Sequence, residues 1–193
     1  MPRSFRQAVF IAAALNLLYF GIEFSVAIAI GSVSLFADSI DFLEDASVNF
    51  LILAAFGWSV RNRARLGMAL AGILLIPGLA TLWTAGQKFL HFQAPSPLPL
   101  TLTGAGALAV NFFCALMLAR FRHHGGSLAR AAFLSARNDV IANLAIIAAG
   151  LITALIPSPW PDLVVGLGIA AMNADAAREV FTVAKKEHAE AKA

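Results

Sequence analysis

Asp38, Asp41, Glu44 and Asp45 fall close together in a stretch that is otherwise apolar. An acidic side chain at the middle of a bilayer costs about 2.5–3.5 kcal/mol on insertion scales, so the four together cost on the order of 10 kcal/mol. At the helical period, Ser34, Asp38, Asp41, Asp45 and Asn49 share an arc of about 80°, while Phe36, Ile40, Leu43 and Phe50 face elsewhere. Glu44 lies off that stripe, where contact with a neighbouring helix is an equal reading. A second apolar run carries Ser135, Asp139 and Asn143 at intervals of four, again on one helical face. A third carries Asn16 and Glu23. Several carboxylates confined together cannot all stay ionised without a cation between them. Such a cluster holds protons, a metal ion, or one in exchange for the other. The alternative is a buried hydrogen-bond network of protonated acids, and the stacking of the acids on one face favours exchange.

The elements that must position these residues are set by composition. Of 193 residues 60% are hydrophobic and only 13% charged, against roughly 45–50% and 25% in soluble domains. A water-soluble enzyme and a disordered chain are both excluded. Six runs, approximately 9–30, 33–58, 66–87, 98–118, 132–156 and 163–183, are each long enough to cross a hydrocarbon core of about 30 Å. The predicted fold is all-α: a membrane protein of six transmembrane helices, residues 1–183, with a short tail, 184–193. The first run also has the basic start of a cleaved signal peptide, but its length and its Asn16 and Glu23 predict that it is retained.

Fourteen Lys and Arg residues give a net charge of +3. They sit in short groups between the runs, a pattern of membrane topology rather than of nucleic-acid binding. Arg3, Arg6, Arg61, Arg63, Arg65, Arg120, Arg122, Arg130, Arg178, Lys185, Lys186 and Lys192 fall on one side, and Lys88 alone on the other. That bias predicts cytoplasmic N- and C-termini. Pro77 predicts a kink in the third span, and Trp58, Trp83 and Trp160 sit near predicted interfaces. Cys114, the single cysteine, excludes an intramolecular disulfide and a cysteine metal cluster. Counting depth from the outer helix ends puts Asp45 and Asn143 level, about 20 Å deep, with Asp41 one turn above and Asp139 one turn below. In the first span it puts Glu23 level with Asp41 and Asn16 level with Asp45.

The run from Gly31 to Asp45, GSVSLFADSIDFLED, resembles the second-span signature of the cation diffusion facilitator family. NLLYFGIEF, from Asn16, is similar to its first span, DVIAN, from Asp139, to its fifth, and WPDLVVG, from Trp160, to the start of its sixth. The resemblance covers essentially the whole chain. It implies six spans with both ends cytoplasmic and exchange of a divalent metal for protons, at a site made of residue pairs on spans two and five. Carried over by position, these are Asp41 and Asp45, and Ser135 and Asp139. Ser135 stands where most members have His or Asp, and an all-oxygen site suits a harder cation than zinc. Asn143 is the candidate replacement ligand, and Asp38, Glu23, Asn16 and Asn49 are candidates to orient the ligands or relay protons. The short stretch after the sixth span predicts that the family's cytoplasmic domain is absent.

Weaker signals have plainer readings. GLGIAA, from Gly166, matches a dinucleotide fingerprint by chance, since it lies inside a span. Gly166, Ala170 and Ala174 offer a small-residue packing face, a candidate dimer seam. Asp162 after Pro161 reads as a helix cap. His123 and His124 read as a solvated loop, Arg137 as a counter-ion to Asp139 or an interfacial anchor, and Asn173 and Asp175 as neighbours of Arg178. The expectation is a divalent cation/proton antiporter, an exporter of the inner (plasma) membrane. It is not an enzyme and has no resident cofactor. The lipid bilayer, the cation, protons and a second copy of the chain are its partners, and nucleic acid is not. Manganese, zinc, iron and magnesium all remain open as the cation. The competing expectation is a membrane subunit or scaffold that keeps the fold and transports nothing.

Overall fold

The computed structural model describes residues 3–54, 79, 81–90, 93–120 and 126–190, and among them all regular structure is helical. The elements are α1 (Arg3–Ile30), α2 (Val33–Ala54), α3 (residues 81–90), α4 (Pro97–Ala119), α5 (Gly126–Leu155) and α6 (Trp160–Glu190). Stretches long and apolar enough to cross a membrane are Ser4–Ile30, Pro97–Ala119 and Asn138–Leu155, and α6 contributes a shorter apolar stretch, Trp160–Met172. The remainder of α6 is polar and runs on as helix to Glu190, through most of the stretch expected to be a separate tail. The four acids of α2 keep it from qualifying by hydropathy. Most of the third expected span, with Pro77, lies outside the described residues, as do Trp58, Arg61, Arg63, Arg65, His123 and His124.

Helix α1 ends at Gly31, whose φ of 63° is the left-handed conformation that only glycine adopts without strain. The Ser32 N–H bonds back to the Ala27 carbonyl at 3.0 Å, closing the turn into α2. Prolines start two other helices, Pro97 opening α4 and Pro161 in the first turn of α6, where a missing N–H removes no helical bond. Helix α2 is the hub: it packs against α1, α4, α5 and α6, while α4 pairs with α1 and α5, and α5 with α6. Ala27, Leu35, Ala37, Leu100, Ala142, Ile146 and Ile169 form a shared core across five helices. Phe5, Val9 and Leu118 close the end near the N-terminus.

Leu18, Ile28, Leu102, Phe112, Ile141, Leu155 and Val164 are exposed, whereas Asn16, Glu23, Asp38, Asn49, Asn111, Asn143 and Asp162 are buried. Apolar exterior and polar interior reverse the arrangement of a soluble domain and fit a bilayer as solvent.

Candidate cation site

The site is built on the polar stripe of α2, with α1 and α5 on either side. Along α1, Asn16 and Glu23 are seven residues apart, two helical turns, and so share a face. Asn16 Nδ2 donates to Asp45 Oδ2 at 3.3 Å, and Asn16 Oδ1 lies 3.9 Å from Cys114 Sγ. Two turns along, the buried carboxyl of Glu23 interacts electrostatically with Asp38. From α5, the carboxyl of Asp139 interacts electrostatically with Asp45 first, then with Asp38 and Glu44, and with Asp41. Asn143 Nδ2 donates to Asp38 Oδ2 at 2.6 Å, and Asn143 Oδ1 accepts from Asn111 Nδ2 of α4 at 3.0 Å.

Two levels result. Asp41, Glu44, Asp45 and Asp139 remain partly exposed, so this level is in contact with open space. Glu23, Asp38, Asn111 and Asn143 form a level sealed inside the bundle, nearer the Gly31 end. Asn16 belongs to the first level through Asp45. Asn49, one turn further along α2, spends its amide N–H on the Asp45 carbonyl at 2.8 Å, and its Oδ1 is buried without a donor. Among the described residues no three acidic, His or Cys side chains converge tightly enough to hold an ion.

The structure brings Asn16 to Asp45, as depth counting predicts, but shifts α5 by one turn. Asp139, not Asn143, is level with Asp45, and Asn143 pairs with Asp38. Glu23 likewise faces Asp38 more closely than Asp41. The count assumed that all helices begin at one height. The start of α2 is instead packed against the start of α6, where Ser32, Val33 and Ser34 are buried with Asp162. The amide of Asn143 is thus engaged on both sides, by Asp38 and Asn111, away from the level where it was expected to replace a ligand. The side chains of Ser135 and Arg137 lie outside the described residues, although both positions are in α5.

Asp162 does cap a helix, but that helix is α2 rather than its own. Its carboxylate accepts from Val33 N at 2.9 Å, Ser34 N at 3.1 Å, Ser32 Oγ at 2.6 Å and Ser34 Oγ at 2.7 Å. Ser32 Oγ takes the next free N–H, that of Leu35, at 3.1 Å. Lys88 is 8% exposed; it donates to the Gly31 carbonyl and stands 3.7 Å from Asp162. Gly166 makes the approach possible, since a Cβ there would meet Ser34 N and the Val33 carbonyl carbon at 2.7 Å. The small-residue face is thus a helix-packing face at Gly166, where α2 of the same chain occupies it.

Sequence reasoning missed Asn111 and the cross-helix cap. Asn111 carried a usable signal as the lone amide side chain of its apolar run. The cap had none, because the residues that meet are about 130 positions apart.

A comparison with curated proteins found no match. The family model of the cation efflux transmembrane domain matches residues 9–186 of the 193. With carboxylates stacked inside an apolar-coated helical bundle, that match completes the argument: the chain belongs to the cation efflux, or cation diffusion facilitator, family and is a membrane cation transporter.

Proposed function

We propose that this protein exports a divalent cation across the inner (plasma) membrane in exchange for protons, as a six-span homodimer with cytoplasmic termini. The observation that carries the reading is the meeting of Asp45 from α2 with Asp139 from α5, beside Asp41, at the level in contact with open space. Asp41, Asp45 and Asp139, which draw closer together on binding than they stand in this conformation, are the cation's ligands, with Ser135 one turn from Asp139 as the fourth position. All four offer oxygen, which favours a hard divalent ion such as Mn2+ over Zn2+.

Proton coupling follows from the charge. One divalent ion balances two of the carboxylates Asp41, Glu44, Asp45 and Asp139, and in the ion's absence protons must replace it. Asn16 orients Asp45 through its amide, the role that neighbours of metal ligands commonly fill. The Lys88–Asp162 end, where the helices are tied together, is the outer side.

The test is cation uptake into proteoliposomes, compared between parent and Asp139→Asn. The reading expects uptake by the parent and background flux from the variant. Equal flux would remove Asp139 from the site, and no flux from a correctly inserted parent would favour a membrane scaffold.

A further inference from the structure

We propose that Glu23 and Asp38 form a second cation-holding site, lying between the Asp41/Asp45/Asp139 level and the Lys88–Asp162 end. The inference rests on the cation-transport reading above and adds to it where the ion goes next.

Glu23 on α1 and Asp38 on α2 are both fully buried, and their carboxyls interact electrostatically across the two helices. Both oxygens of Glu23 and Oδ1 of Asp38 have no hydrogen-bond partner. Two carboxylates are acceptors only, so neither can satisfy the other without something positive between them. Orphaned buried oxygens are costly, and bare charge in hydrocarbon surroundings is costlier. A group that could have served as donor is committed elsewhere: the Tyr19 hydroxyl donates to the Thr103 carbonyl at 2.7 Å. The Asn143 amide reaches only Asp38 Oδ2, leaving the other three oxygens open.

Three free oxygens from two helices suit a hard divalent cation, which takes several oxygen ligands and accepts bidentate carboxylates. One proton would bridge two of these oxygens and leave a net negative charge; two protons neutralise the pair, and a divalent cation takes their place charge for charge when both are released. Position supports the assignment as well. Asp38 is on the same stripe as Asp41 and Asp45, displaced along α2 by about 4.5 Å and 10 Å respectively at the helical rise. Asn143, bonded to Asp38, is one turn from Asp139 on α5. An ion leaving the first level toward the Gly31 end meets these oxygens next. Because Glu23 and Asp38 are sealed in this conformation, the second site fills when the bundle opens.

Equilibrium dialysis of the purified full-length protein in nanodiscs, against Mn2+, Zn2+ and Mg2+ in separate runs, tests the proposal. The cation best retained by the parent is then carried through Glu23→Gln, Asp38→Asn, Asp45→Asn and the double variant Glu23→Gln/Asp45→Asn. The expected result is two ions per chain for the parent, one for each single variant and none for the double. The ion kept by each single variant also shows that it folds. If Glu23→Gln and Asp38→Asn bind as many ions as the parent while Asp45→Asn binds fewer, the second site is overturned and the transport reading stands. If Asp45→Asn has no effect and Glu23→Gln loses the ion, the second site stands and the ligand assignment at Asp45 falls. Binding of no cation by a folded parent overturns both.

Discussion

Asp45 is where three helices meet, held by the amide of Asn16 on one side and reached by Asp139 on the other. Asp45→Ala and Asp41→Ala should each lower cation flux in proteoliposomes by more than about 100-fold, beyond the 10–100-fold typical of losing a neighbour that only orients a ligand. Both should insert normally, because deleting a mid-bilayer acid relieves about 2.5–3.5 kcal/mol of insertion cost. Parental flux from either variant would show that the carboxylates are not ligands. Ser135 tests the hardness argument from the other side. Ser135→His places a nitrogen donor one turn from Asp139 and should shift competition between the two ions toward Zn2+ over Mn2+. An unchanged preference would mean that position 135 does not touch the ion.

Among the elements, α2 depends most on its neighbours, because its first free N–H groups are capped by a residue of α6. Asp162→Ala leaves Val33 N and Ser34 N without their acceptor and Lys88 buried beside no counter-ion. The expected loss is on the order of 2–4 kcal/mol, measured as a lowered midpoint of thermal or denaturant unfolding. Stability equal to the parent's would mean that water replaces the carboxylate and that the cap is incidental. This cap also marks the limit of what was legible in the sequence. The polar stripe of α2, its facing residues on α1 and the Asp139 face of α5 were all readable, because helical period alone decides which side chains share a face. The register between α2 and α5 was not. It depends on how the start of α2 packs against α6, where Asp162, Lys88 and the bare backbone approach at Gly166 meet. None of these leaves a local pattern, so depth counting put Asp139 one turn below Asp45 and Asn143 beside Asp45, whereas Asn143 bonds Asp38, two turns along α2 from Asp45.

At the scale of the whole molecule, an apolar coat surrounds a column of carboxyls and amides. The proposed topology places Gln93, exposed before α4, outside and Arg120, exposed after α4, inside. Since Cys114 is buried, cysteines introduced at these positions can be labelled against a low background. A membrane-impermeant maleimide should label Gln93→Cys on intact cells and Arg120→Cys only after permeabilisation; the reverse pattern would invert the direction of transport. The central claim is that a divalent cation and protons exchange at Asp41, Asp45 and Asp139. The most direct measurement records cation entry and lumenal pH together in proteoliposomes, for the parent and for Asp45→Asn. The account predicts that lumenal pH rises as the cation enters the parent vesicles, and that both signals vanish in the variant. Cation entry with no pH change, or equal entry through Asp45→Asn, would contradict it.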